Sequence, residues 1–559
     1  MANTILTPVT LWKDFEGDLP LEAEVISERI EDGCIDREVR FSGRRSEEGR
    51  VRIWARYTVP EGLERFPAVL VLSEVGHGPD PRFIRRFTEN GYGVLCVDYA
   101  GETPDGDGAY TIYPKDIDYA NYVRAGRHLT HADPTAKETC WYEWAAVARY
   151  AVRYLSEQPQ VSKVGAIGIR TGGEVLYKIA PYAPISCMVS ICAAGWLAYR
   201  NVETFSGEGF NEERHRFIAG IDSQSYAPHV KCPVLLLAAV NDRKYYYDRA
   251  YDMFRQINPE VEKALLYSAR GNGLIGSHSF INILLFLDKY LKERSVFISK
   301  PISFTADEED GNLVIRASFD AGGEIKEYGL FYSEQMNLFR TRDWTRVMGR
   351  LEDLKDGVGT IPLSLYEGGE SALVYTFVNY SNGFSVTSKI QSVQHEKHYK
   401  NSRLKSRVIY SSSNGVNGFS TVRTREKAIA DCFADGSDSE IQLAAGYGGI
   451  LGITSESGLL SYRVGDAGYS APDGAMLRFD MYAEEDVAVV ITFYTDEELK
   501  TGYSCRVNIQ GKGGWKNFVL STDDFKEPET GASLPSFRKT TCITFQGDEK
   551  FVLNNIIWL

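Results

Sequence analysis

The chain has 559 residues, which suggests about three domains at roughly 100–200 residues each; 43% of the residues are hydrophobic and 25% charged. That balance, with no apolar run near the ~18 residues a membrane helix needs, excludes a disordered chain and predicts no membrane span. There are 62 basic and 76 acidic side chains, a formal charge of −14. No basic block offsets it, which argues against nucleic acid and anionic membrane as partners.

The N-terminal MANTILTPVTLWKDFEGDLP has no basic stretch leading into an apolar one, so no secretory signal is read. The 9 cysteines include no C-x-x-C pair, and several sit in apolar strands. They read as reduced core residues of a cytoplasmic protein and not as a disulfide framework.

Residues 1–298 alternate short apolar strands with amphipathic helices. LEAEVISERI, IDREVRFSG and RVRIWARYTV come first as period-2 strands. PAVLVLSE and YGVLCVDY are continuous apolar runs either side of a helical PRFIRRFTENG, as in buried parallel strands with a crossover. Apolar residues from Glu138 to Glu157 recur at helical spacing. KVGAIGI, ISCMVSICAA, CPVLLLAAV and KALLYSA continue the strands, and the helix FINILLFLDKYLKE closes the domain. This predicts an α/β fold with a mostly parallel sheet. Residues 299–395 give strands such as LVIRASF and ALVYTFVNYS between Gly, Asn and Asp turns, predicting a small β-sandwich. QHEKHYKNSRLKSR reads as a linker. From 406 to 559 strands recur in a second all-β domain of jelly-roll size, ending KFVLNNIIWL.

The stretch VGAIGIRTGGEVLYKIA runs from strand to helix through Gly168-Ile169-Arg170-Thr171-Gly172-Gly173. A corner of this form lets a nucleophile perch on a tight turn, with flanking glycines freeing helix N-terminal amides for an oxyanion. Here Arg170 holds the apex. An arginine stays protonated and offers only donors, so it cannot attack an acyl carbon. In hydrolases with such a corner the acid and then the histidine follow in loops after later strands. Asp242 follows CPVLLLAAV, and His278 opens the last helix after KALLYSA. Each alone is as readily a cap or turn residue; their order behind the corner makes them a candidate pair.

These segments together (AVLVLSEVGHG, GYGVLCVDYAG, the glycine corner, CPVLLLAAVND and GSHSF) resemble the dienelactone hydrolase family of α/β hydrolases over residues ~50–293. In that family the nucleophile is a cysteine, or a serine in related esterases, with a glutamate beside it. The resemblance implies His278 as base, Asp242 as its orienting acid and Glu74 as the apex neighbour, and Arg170 is the departure from it. One reading makes Arg170 and Glu74 a structural ion pair in a dead site. The other has Arg170 stabilising an anion while His278 and Asp242 activate water.

Thr171, Ser73, Ser277 and Ser279 lie near the corner without a base placed for them. Thr171, His77, Tyr110, Tyr113 and Tyr245 are candidate substrate-binding residues; a tyrosine offers both a flat apolar face and a hydroxyl. His128 and His131 have i,i+3 spacing but no accompanying metal signature, so neither metal nor cofactor is expected. The last domain looks like the carbohydrate-binding jelly rolls attached to polysaccharide-degrading enzymes; a glycan ligand there is a fold-level analogy, with scaffolding or self-association as its rival. The middle domain resembles a fibronectin-type spacer. Two functions follow as expectations: an atypical hydrolase for a carbohydrate-derived or aromatic ester, lactone or related carbonyl compound, or an inactive pseudohydrolase that binds such a ligand or a glycan.

Overall fold

The computed structural model describes residues 5–76, 81–102, 110–193, 195, 211–242, 244–268, 278–338, 340–394, 398–422 and 441–559. Nine strands form one sheet: β1 (Glu24–Glu31), β2 (Cys34–Arg45), β3 (Arg50–Pro60), β4 (Phe66–Leu72), β5 (Gly93–Val97), β6 (Val161–Ile169), β7 (Met188–Ile191), β8 (Val234–Ala239) and β9 (Lys263–Ser268). Their order is β1-β2-β3-β5-β4-β6-β7-β8-β9. The first three run antiparallel to their neighbours, and the pairs from β5 to β9 are parallel.

The continuous apolar runs of β4, β6 and β8 are explained by burial on both faces. Ala68, Leu70 and Leu72 pack with the helix Cys140–Ser156 on one side, while Val69 and Val71 meet the helices Pro81–Thr88 and His278–Leu291 on the other. Such a strand reads as uninterrupted hydrophobicity, not as alternation. β1 is different: seven of its eight residues are exposed. It is an edge hairpin arm held by Glu28–Arg37 at 2.6 Å and Glu24–Arg52 at 2.8 Å; charges of this kind blunt an edge against further pairing.

Residues 303–394 form two antiparallel sheets, one of three strands and one of five. Their apolar faces join the second of these cores: Leu330, Val374 and Val378 belong to the same cluster as Ile167 and Phe286. Polar contacts fasten the two regions as well. Thr387 Oγ1 accepts the Tyr267 amide at 3.0 Å, and Asn282 exchanges two hydrogen bonds with the Ser385 backbone. From Val408 to Trp558 two further antiparallel sheets face each other across a separate core that includes Phe479, Phe493 and Trp558. Among the described residues, no helix is long and apolar enough to cross a membrane.

The parallel strands end on one edge of the sheet. The chain steps from β4 outward to β5, then returns past β4 to β6 and proceeds the other way. Open α/β sheets bind ligands in the crevice outside the carboxyl ends of the strands at this kind of reversal. Register places Leu72 of β4 beside Gly168 of β6, so Glu74 and Arg170 both emerge at the reversal.

Candidate active site

The corner after β6 is a strained turn. Arg170 has φ 49° and ψ −112° and caps the helix Thr171–Ile179; a positive φ in a non-glycine residue costs of order 1–3 kcal/mol and persists only where the surroundings enforce it. They do so here. The Arg170 amide donates to Ile191 O at 2.8 Å, and the Arg170 carbonyl accepts from the Glu174 amide at 3.1 Å. A Cβ on Gly172 would lie 2.0 Å from Leu72 O, so only glycine lets the helix start so close to β4.

The guanidinium is 11% exposed and sits between two carboxylates. Nε lies 3.5 Å from Glu74 Oε2 and Nη2 lies 3.3 Å from Asp242 Oδ2. The guanidinium thus faces two acids, where the sequence reading pairs it with Glu74 alone. Asp242, 1% exposed at the side chain, also accepts the backbone amides of Lys244 at 2.8 Å and Tyr245 at 3.0 Å through Oδ1. Glu74 reaches Lys244 Nζ at 3.7 Å. These four groups carry two positive and two negative charges and balance. Burial pulls the Arg170 pKa down, but the negative charges facing it, Asp242 foremost, outweigh that and hold it above its ordinary value.

Cys192, at the end of β7 with φ 49°, is buried and faces the same charges. Its burial and the neighbouring Asp242 push the thiol well above the usual cysteine range. A thiol so held is protonated and a poor nucleophile.

Thr171 Oγ1 and Tyr245 OH are 3.5 Å apart, and the Arg170 guanidinium stands 5.4 Å from the Tyr245 ring centroid. Thr171 and Tyr245 thus join the cluster. Tyr113 does not: it is 5% exposed and donates its hydroxyl to Tyr99 O at 2.6 Å, which makes it a packing residue of the loop after β5. Tyr110 lies on the same loop, beside Thr111, whose amide donates to Asp98 Oδ2 at 2.6 Å. Burial lifts the Asp98 carboxyl to about 7, against backbone donors from Thr111, Ala100 and Gly101 that pull the other way. His77 and the side chain of His278 lie outside the described residues; His278 itself opens the helix His278–Leu291 after β9. Lys244 and Cys192 escaped the sequence reading, because nothing in their local pattern marks either as facing the corner.

No protein-family model matches the chain, and no curated protein matches it. Among solved structures, an acetyl xylan esterase from Paenibacillus sp. R4 is similar at 15% identity and TM-score 0.36, over 49% of this chain and 90% of that one. Acetyl xylan esterase 1 from Thermoanaerobacterium sp. JW/SL YS485 follows at 16% identity and TM-score 0.34, over 44% and 81%. An acylaminoacyl peptidase from Pyrococcus horikoshii is similar at 13% identity and TM-score 0.35, over 49% and 50%. Likeness at that level carries nothing about substrate or activity, and the strand order and strained corner above stand on their own geometry.

Proposed function

We propose that residues 1–298 form a hydrolase-type α/β domain that has given up covalent catalysis and holds a carbohydrate-derived or related carbonyl compound at the corner after β6. The observation that carries this reading is Arg170 seated between Glu74 and Asp242. The apex has no nucleophile, and the acid in the position of a histidine's orienting partner is engaged with the apex arginine. Arg170 already faces two carboxylates, so an anionic ligand at the apex would compete with them for the guanidinium. A neutral, hydroxyl-rich ligand would not; Thr171 and Tyr245, both buried beside Arg170, would have to be uncovered for their hydroxyls and the Tyr245 ring to meet it. Calorimetric titration with neutral sugar esters, lactones and their acid forms tests this. Heat with the neutral compounds that disappears in Tyr245→Ala supports it, whereas preferential binding of the acids refutes it.

A second reading keeps catalysis. Asp242 follows β8 and His278 opens the helix after β9, the order that would let His278 activate water while Arg170 steadies a developing anion. Substrate depletion followed by mass detection separates the two: wild type and His278→Ala at equal, background rates favour binding, and a rate lost on removing His278 favours hydrolysis.

The same ligand class suits the C-terminal sandwich. Trp515 stands 5.9 Å from the Tyr482 ring and donates to Tyr447 O, and Tyr447 is 62% exposed. Beside them Asp480 accepts from Asn517 and Asn555, each at 2.9 Å. Aromatic faces next to amides and a carboxylate fit sugar rings and their hydroxyls. Retardation in gels containing soluble polysaccharide, lost in Trp515→Ala, is the expected result.

A further inference from the structure

Consecutive residues after β8 serve two different domains. Asp242 turns into the corner and meets Arg170, while Asn241, 3% exposed, turns the other way, into the middle domain. Asn241 Nδ2 donates to Arg342 O at 2.9 Å, and Asn241 Oδ1 accepts the Trp344 indole N–H at 3.0 Å. The next turn of the loop is gripped as well: Arg342 Nη1 donates to Tyr247 OH and Arg340 Nη2 to Tyr246 OH, each at 2.9 Å.

The gripping segment is itself fixed. Trp344 is 3% exposed, with its ring 5.2 Å from Tyr375 in edge contact, and Arg342 Nε donates to Gln335 O at 2.9 Å. The C-terminal domain closes the chain of contacts. Arg463, 2% exposed, donates to Asp343 Oδ2 at 3.1 Å, and Gln335 Nε2 donates to Tyr462 O at 3.0 Å. A buried side-chain amide requires its partners, and those of Asn241 are supplied by residues more than a hundred positions away.

We infer that Trp344 and Arg342 are positioning residues for the corner after β6: they hold the loop that carries Asp242, Lys244 and Tyr245, so the site is complete only with the middle domain docked. The middle domain is then a part of the site's framework and not a spacer. This rests on the geometry of the Asp242 loop and holds whether the ligand is turned over or only bound.

The readout is amide exchange in the intact chain. The Lys244 and Tyr245 amides are protected by Asp242 Oδ1, so the peptide 241–248 reports whether the loop keeps its shape. Asn241→Leu removes both hydrogen bonds at similar bulk and Trp344→Phe removes the indole one while keeping an aromatic ring; each should speed exchange of that peptide by about tenfold or more. Asn282→Ala weakens the same domain contact elsewhere and should leave the peptide unchanged. Should Asn241→Leu fail to fold, Trp344→Phe, which keeps the ring against Tyr375, carries the test. Unchanged exchange in the Trp344→Phe protein overturns the inference. So does an equal rise in Asn282→Ala, which would mean that domain docking in general, and not this grip, is what the loop senses.

Discussion

Replacing Asp242 with Asn removes a charge that is 1% exposed and faces a guanidinium 3.3 Å away. Breaking a buried ion pair from one side costs about 3–5 kcal/mol when the remaining charge has no other partner. Arg170 keeps Glu74 at 3.5 Å, so the expected loss is at the lower end of that range, about 3 kcal/mol. Arg170→Met leaves the buried Asp242 carboxylate without its cation, while Glu74 keeps Lys244, and should cost about 3–5 kcal/mol. The double variant Arg170→Met/Asp242→Asn strands no charge at the 170–242 contact, and it should cost less than the two single losses added together. Urea unfolding of the full chain, followed by the transition of the α/β region and with the slope checked for constancy, gives the three values. Single variants within about 0.5 kcal/mol of wild type, or strictly additive losses, would falsify the buried pair.

Three other perturbations have defined outcomes. Wild type should stay unlabelled by thiol-alkylating and serine-phosphonylating probes at residues 168–174; Arg170→Cys should become alkylated at the apex and gain weak burst-type esterase activity that His278→Ala abolishes, and an inert but folded Arg170→Cys removes the apex from consideration as a nucleophile position. Gly172→Ala would force a Cβ to 2.0 Å from Leu72 O; the expected result is a loss above about 3 kcal/mol or a displaced corner, measured by urea midpoint, and tolerance would mean the helix does not start where described. Asp466, 6% exposed, has its carboxyl raised to about 6 from an ordinary 3.8, by burial first and against the pull of Arg403. The folded state then holds this proton more tightly than the unfolded one, so the contribution is full below about pH 4 and is lost as pH rises through 6. Asp466→Asn keeps the acceptor for the Gly468 amide and should exceed wild type by up to about 3 kcal/mol at pH 7 while matching it below pH 4; an advantage that does not change with pH counts against a proton held there.

The parts of this site that local pattern specifies were legible. The glycines around Arg170, the apolar runs of β4 and β6, and an aspartate directly after β8 are statements about single segments, and the backbone follows them. What escaped depends on tertiary approach. No local rule says that Lys244 bends to Glu74, that Cys192 faces the corner, or that Asn241 looks away from it into Trp344, because each follows from where a distant segment packs. Tyr113 shows the converse: a tyrosine-rich loop suggests a binding face, yet the hydroxyl of Tyr113 is used on Tyr99 O inside the protein. The two sheets of residues 303–394 were legible as strands, but their apolar faces gave no sign that they share a core with the helix His278–Leu291, since hydrophobic alternation reports that a face is buried and not what buries it.

The arginine at the apex bears on whether the corner is a relic. A turn that no longer displays a useful side chain has no reason to keep a positive φ at a bulky residue, because a relaxed backbone would recover the strain. This chain keeps it at Arg170, and keeps glycine at Gly168 and Gly172, where an added Cβ would fall 2.6 Å from Gly172 O and 2.0 Å from Leu72 O. The strain is offset by the interactions that it permits. With φ near 49° the side chain leaves the sheet edge toward Glu74 and Asp242 and sits against the ring of Tyr245. The geometry that presents a nucleophile to an acyl carbon in a hydrolase presents, in this chain, a cation that ties the ends of β4 and β8 together across the point where the sheet reverses direction. On the reading proposed above, the corner would organise the mouth of the site, and Arg170 is to be tested by what it holds in place.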